Sequence, residues 1–231
     1  MKTSIRCGYS APVCLTIAGG RSPFEPALMC AHPQRVKVSV VQNESSQIVP
    51  ACLREIMQIH SDLYPLPDSP KYTWYIELPD GIVDTHMGVQ SALISAFCAC
   101  HLHISTGLPA IPSDVQKMAY QIEKKLFKLA SHGQTTTSTV GGLVFYRKEF
   151  EFHKTVFKIP AHLPKDFNIE ANLSGQPARN IDTTIRRLVV AIMREDELMF
   201  QSTYDAAQSD VPSTWSLLED REGLLPSAKT S

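Results

Sequence analysis

The chain has 231 residues, 43% hydrophobic and 19% charged, enough for one large domain or one and a half smaller ones around a real core. A formal net charge of −1 leaves no global field to recruit nucleic acid or an acidic membrane. No apolar run is long enough to span a bilayer, and residues 1–20 carry too short an apolar part for a signal peptide, so a cytoplasmic protein with neither a membrane nor a nucleic-acid partner is expected.

Residues 10–20, SAPVCLTIAGG, read as a strand closed by a glycine turn. Residues 35–42, RVKVSVVQ, alternate as a half-buried strand. Over residues 50–63, Leu53, Ile56, Met57 and Leu63 recur at helical spacing, and Pro50 suits the first turn. The three prolines of YPLPDSP end that helix. Residues 72–78, YTWYIEL, are β-branched and aromatic enough for a strand. Residues 89–103 form a mostly apolar helix, buried on most sides. A further helix begins at Ser113, where Ser113 and Gln116 have the spacing of a capping box. Val115, Met118, Ala119, Ile122 and Leu126 mark its inner face.

Strands follow at residues 143–147, 156–159 and 168–173, then one long helix over residues 183–199. Past Asp205 the chain is rich in Ser, Asp and Pro, and weak order is expected. There are no internal repeats. Strands first, then helices flanking later strands, imply an α+β or two-layer α/β fold. The six cysteines, Cys7, Cys14, Cys30, Cys52, Cys98 and Cys100, form no C-x-x-C pair and read as reduced thiols. Cys98 and Cys100 lie in an apolar helical pattern, where a free cysteine packs as a small hydrophobe.

Residues 131–149, SHGQTTTSTVGGLVFYRKE, carry the most chemistry. A small polar run meets the pair Gly141 and Gly142 and then an alternating strand. Glycines permit tight turns and close approach of a ligand, and hydroxyls and bare amides beside such a turn suit an anion. This segment resembles one in mevalonate kinases and other GHMP-superfamily kinases. Residues 10–20, followed by Pro26, Ala27 and Leu28, resemble the first strand of mevalonate kinases: Ser10, Ala11, Pro12 and Gly19 agree, while Cys14 stands at the position of the family lysine. Residues 86–100 resemble the phosphate-binding loop and the helix after it, with Gly88, or Ser91, Ala92 and Ser95, retained according to register. Residues 167–184 resemble the strand and turn that open the second domain, through Ser174, Gly175, Pro177 and Ala178.

The resemblance implies an α+β, GHMP-kinase-like two-layer N-terminal domain over residues 1–165, the start of a truncated second domain over residues 166–205, and a weakly ordered tail over residues 206–231. It implies ATP-dependent phosphoryl transfer to a small alcohol in isoprenoid precursor synthesis, with ATP and magnesium. A homodimer is compatible with it. Nucleotide phosphates would meet Gly88, Val89, Gln90 and Ser91; the acceptor would lie near Ser131 and Thr139; magnesium would be held by Ser91 and Glu123. Aligned on the family pattern H-G-x-P-S-G-x-D, residues 127–134 place His132 at a family glycine and Gln134 at the catalytic aspartate. Glutamine has no basic oxygen in the useful range, although it still donates and accepts hydrogen bonds. Cys14 cannot supply a lysine's charge. The chemistry is therefore expected to be impaired, and a non-catalytic pseudokinase that binds nucleotide or a partner is the alternative.

Weaker candidates remain. His101 and His103 form an H-x-H, whose two rings do not share a helix face. Ser131 beside His132 has the look of a nucleophile and base, with no acid placed by the sequence to orient the imidazole. Arg186 and Arg187 read as a solvated helix face.

Overall fold

The computed structural model describes residues 6–20, 24–42, 49–64, 72–79, 87–127, 132–150, 153–164 and 181–209. Two long strands, β1 (Arg6–Gly19) and β2 (Ala27–Gln42), pair antiparallel along nearly their whole length. The register slips between Pro12 and Cys14 and between Thr16 and Ala18. The other edge of β2 carries two strands in tandem. β3 (Tyr72–Glu77) pairs with residues 37–42 and β4 (Leu143–Phe150) with residues 27–30. β5 (His153–Ile159) closes the five-stranded sheet on the far side of β4. The strands read at residues 35–42, 72–78 and 143–147 thus share one sheet. Val36, Val38 and Val40 are fully buried while Arg35 and Lys37 face out, as a period of two requires.

The turn between β1 and β2 is the glycine turn of the sequence. Gly19 has φ +74°, and a Cβ there would overlap the carbonyl oxygen of Pro26. That carbonyl accepts the Gly20 amide at 3.1 Å. No other residue type fits such a position without moving the backbone.

The helices are α1 (Ala51–Leu63), α2 (Met87–Thr106), α3 (Pro112–Leu126), α4 (Gly133–Val140), α5 (Ile181–Met193) and α6 (Glu197–Ser209). α2 lies on β1 and β2. It buries Val89, Ala92, Ile94, Phe97, Cys98 and Cys100 in the main core. Burying the larger of these, Val89, Ile94 and Phe97, stabilises by roughly 1.5–3 kcal/mol each. α3 packs on α1, α2 and α4, and its Gln116 and Tyr120 side chains touch Lys154 and Lys148 of the sheet. α5 packs on β1 and α6.

Three local expectations are corrected. Pro50 is the residue before α1, not a member of its first turn, and its carbonyl accepts the Leu53 amide at 3.0 Å. The capping box does not form. Ile111 occupies the cap of α3, Pro112 takes the first helical position, and Ser113 falls inside the first turn. Gln116 instead accepts a hydrogen bond from Lys154 Nζ at 3.2 Å. The single long helix over residues 183–199 is two helices. Glu195 adopts φ 55°, breaking the chain, and Asp196 restarts it by accepting the Met199 amide on Oδ1 at 2.9 Å.

The six cysteines are free thiols, and all but Cys52 are buried. Among the described residues no helix is long and apolar enough to cross a membrane. The strand expected at residues 168–173 and the turn with Ser174, Gly175, Pro177 and Ala178 lie outside the described residues.

Candidate functional site

α4, GQTTTSTV, contains few good helix formers. Its hydroxyls bond back to its own carbonyls, a contact that slightly loosens and bends a helix: Thr137 Oγ1 donates to the Gly133 carbonyl at 2.9 Å and Thr139 Oγ1 to the Thr135 carbonyl at 2.8 Å. Its stability is therefore tertiary: Thr135, Thr136, Thr137 and Ser138 are buried between α2, α3 and the sheet. The polar run is therefore an inward-facing helix, and most of the hydroxyls that the sequence offered to an anion are turned into the protein. Gly141 and Gly142, with φ +69° and +78°, end it as the expected turn. At the other end His132 has φ 63°, in the left-handed region where glycine is at home and a side chain is strained. A Cβ at the next residue, Gly133, would come within 2.8 Å of Met29 Cε.

Gln134 lies in the first turn of α4 and is partly exposed. Its Nε2 donates to Thr16 Oγ1 of β1 at 3.3 Å, and its Oε1 accepts from Ser91 Oγ of α2 at 3.4 Å. Ser95 Oγ donates to the Ser91 carbonyl at 2.8 Å, and Thr139 Oγ1 approaches Ser95 Oγ at 3.4 Å. The structure thus brings Ser91, Gln134 and Thr139 into one network at the meeting of β1, α2 and α4. Ser131 lies outside the described residues.

Cys14 is on the same strand, two residues before Thr16, and is wholly enclosed against Ala27 and Met29. Burial pushes its thiol well up, with Cys30 and Glu123 acting in the same direction and the Thr137 hydroxyl against them. It stays a neutral thiol at pH 7 and supplies no charge.

Gly88, Val89 and Gln90 lie in the first turn of α2, whose leading amides have no intrahelical acceptor. The Val89 side chain is buried in the main core. Residues 80–86 lie outside the described residues.

Glu123, near the end of α3, is 2% exposed. Its Oε2 accepts from Thr135 Oγ1 and from His132 Nδ1, the latter at 3.1 Å. The His132 ring packs on Tyr120 at 4.0 Å between centroids. Lys154 Nζ lies close by, 3.4 Å from Thr136 Oγ1. Burial lowers the pKa of this amine, and the Glu123 carboxylate partly opposes the shift. Magnesium takes one or two carboxylates together with phosphate and water oxygens in near-octahedral geometry. Here a Glu123 oxygen already accepts two protein donors in the interior. Ser91, 1% exposed, directs its hydroxyl to Gln134. As arranged, the Ser91 and Glu123 side chains do not fit a magnesium ion.

Sequence reasoning missed Thr16, Thr135 and Lys154, and left His132 without an acid. The acid is Glu123, supplied by a different helix. The H-x-H does not converge. His101 contacts the His60 ring, while His103 Nδ1 meets Tyr9 Oη at 2.9 Å. Among the described residues no group of three or more His, Cys, Asp or Glu could hold a metal ion. Arg186 and Arg187 are exposed on α5, as read.

No protein-family model matches the chain, and no curated protein does. Solved structures do. Phosphomevalonate kinase of Streptococcus pneumoniae, in complex with phosphomevalonate and AMPPNP, matches at 12% identity with a TM-score of 0.67, over 88% of this chain and 79% of that one. Mevalonate kinase of L. major, in complex with R-mevalonate, matches at 15% identity and 0.67, over 89% and 75%. Methanococcus jannaschii mevalonate kinase matches at 12% and 0.62, over 87% and 78%. At such identities the likeness concerns architecture, and the chain has an α+β, two-layer fold of the GHMP-kinase type.

Proposed function

We propose that this chain is a mevalonate-kinase-like GHMP protein whose ancestral chemistry, ATP-dependent phosphoryl transfer to a small alcohol, is impaired. The observation that carries the reading is Gln134. It stands where the resemblance puts the catalytic aspartate, and its amide is held between Thr16 and Ser91. Phosphoryl transfer relies on positioning and electrostatic stabilisation, with a carboxylate to take or orient the acceptor's proton. An amide oxygen has no proton affinity near neutral pH, so Gln134 can orient a hydroxyl but not deprotonate it. Cys14 adds to this, since a buried thiol replaces the expected ammonium.

The same reading keeps a binding role. The start of α2, at Gly88, Val89, Gln90 and Ser91, faces the nucleotide phosphates, and the acceptor lies by Ser131 and Thr139. Residues 1–165 form the nucleotide-facing domain and residues 166–205 begin the second, in a cytoplasmic protein. A non-catalytic pseudokinase is the second reading, favoured by the two substitutions occurring together in one chain. Steady-state ADP release with ATP and either mevalonate or phosphomevalonate tests the proposal. Slow or absent turnover is expected, and nucleotide binding by calorimetry separates the impaired enzyme from a protein with no donor site.

A further inference from the structure

Building on that reading, we infer that Glu123, His132 and Thr135 form an internal clamp that has taken over the carboxylate a metal would need, so that α4 is positioned without a metal ion. Three observations combine. Glu123 is the only carboxylate among the buried polar and charged residues described, yet it is not left bare: Oε2 accepts from both His132 Nδ1 and Thr135 Oγ1. Both donors lie within one turn of the start of α4, while Glu123 is on α3, so the clamp ties two helices together.

His132 meets the carboxylate from a left-handed backbone, a conformation that a side chain disfavours. A strained residue persists where its surroundings over-determine it. Here Glu123 and the Tyr120 ring hold the imidazole on two sides. Gln134 follows two residues later in the same first turn, bonded to Thr16 and Ser91.

The test uses the full chain and manganese(II) alone as the probe. Electron paramagnetic resonance titration of the unmodified protein should find no saturable site below about 1 mM that Glu123→Gln removes, on the usual scale where useful affinity is micromolar. Thermal unfolding of Glu123→Gln, His132→Asn and the double variant should show each single change lowering Tm. The double variant should lose clearly less than the sum, because the two residues share one contact. Asparagine tolerates the left-handed region, which keeps His132→Asn a folding variant. Saturable manganese binding that depends on Glu123 would overturn the clamp, and so would strictly additive losses in Tm. Neither outcome touches the reading of Gln134, which stands or falls on turnover.

Discussion

Replacing Cys14 by lysine puts back the side chain that the resemblance expects, and the structure says the result is a damaged fold. The side chain at position 14 is fully buried against Ala27 and Met29, with Thr137 beside it. Lysine is longer by several heavy atoms, and overfilling a packed site costs about 1–3 kcal/mol. Removing an ammonium from water costs several kcal/mol more, of which the nearby Glu123 carboxylate returns a part. A net loss of about 3–5 kcal/mol is expected, a large share of the roughly 5–15 kcal/mol that holds an ordinary domain together.

The sign of the pH dependence follows from the burial. A lysine desolvated in the folded state has a pKa below its unfolded value of about 10.4, so the folded protein binds fewer protons. The variant should regain stability as pH rises toward that value. Urea unfolding followed by far-UV circular dichroism at pH 7 and pH 9.5, with Cys14→Ala as the reference that lacks the thiol, measures both effects. A loss under about 1 kcal/mol without pH dependence would mean that the lysine reaches open space. Cys14 would then not be the enclosed residue described, and the missing charge would no longer argue for impaired chemistry.

Other outcomes are equally specific. His60 and His101, both buried with ring centroids 3.8 Å apart, are lowered to about 4, chiefly by burial, and His60 adds to the shift of His101. Unfolded imidazole titrates at about 6.5, so at pH above that value burial of the two neutral rings costs nothing extra, and stability is lost progressively as pH falls from about 6.5 to about 4, where the folded rings also protonate. Urea midpoints should fall between pH 7 and pH 4.5, and less so in His60→Gln. Glu195→Gly should stabilise the chain by about 0.5–1 kcal/mol, since Glu195 sits exposed at φ 55° and glycine relieves the strain. A lower Tm would contradict the left-handed link between α5 and α6. Gln134→Asp should fold within about 1 kcal/mol of the parent, because Thr16 can donate to the new carboxylate as Ser91 does. It should recover little rate while Cys14 remains.

The sheet was largely legible because alternation in β2 reports burial directly, with Val36, Val38 and Val40 inward, and because β3 is rich in β-branched and aromatic residues. That β3 and β4 share one edge of β2 was not legible, since nothing in either strand names its partner. α4 was hidden for a physical reason. Its threonines favour other local structures, and only burial between α2, α3 and the sheet makes a helix of them. The break at Glu195 carries neither glycine nor proline, so no local signal marks it. The candidate site divides the same way. The substitutions at Cys14 and Gln134 follow from the resemblance, whereas the hydrogen bond of His132 to Glu123 joins a helix end to a strained turn, which no periodicity encodes.

The most direct test of the impaired site is turnover of the unmodified chain, followed as ADP release with ATP and magnesium against mevalonate, phosphomevalonate and a panel of small alcohols. Loss of a positioned base costs about two to four orders of magnitude from an ordinary rate near ~10 per second. Turnover below about 0.1 per second is therefore expected with every acceptor. A rate of about 1 per second or more would show that another residue performs the role assigned to position 134, and the reading of Gln134 as a lost catalytic carboxylate would have to be abandoned.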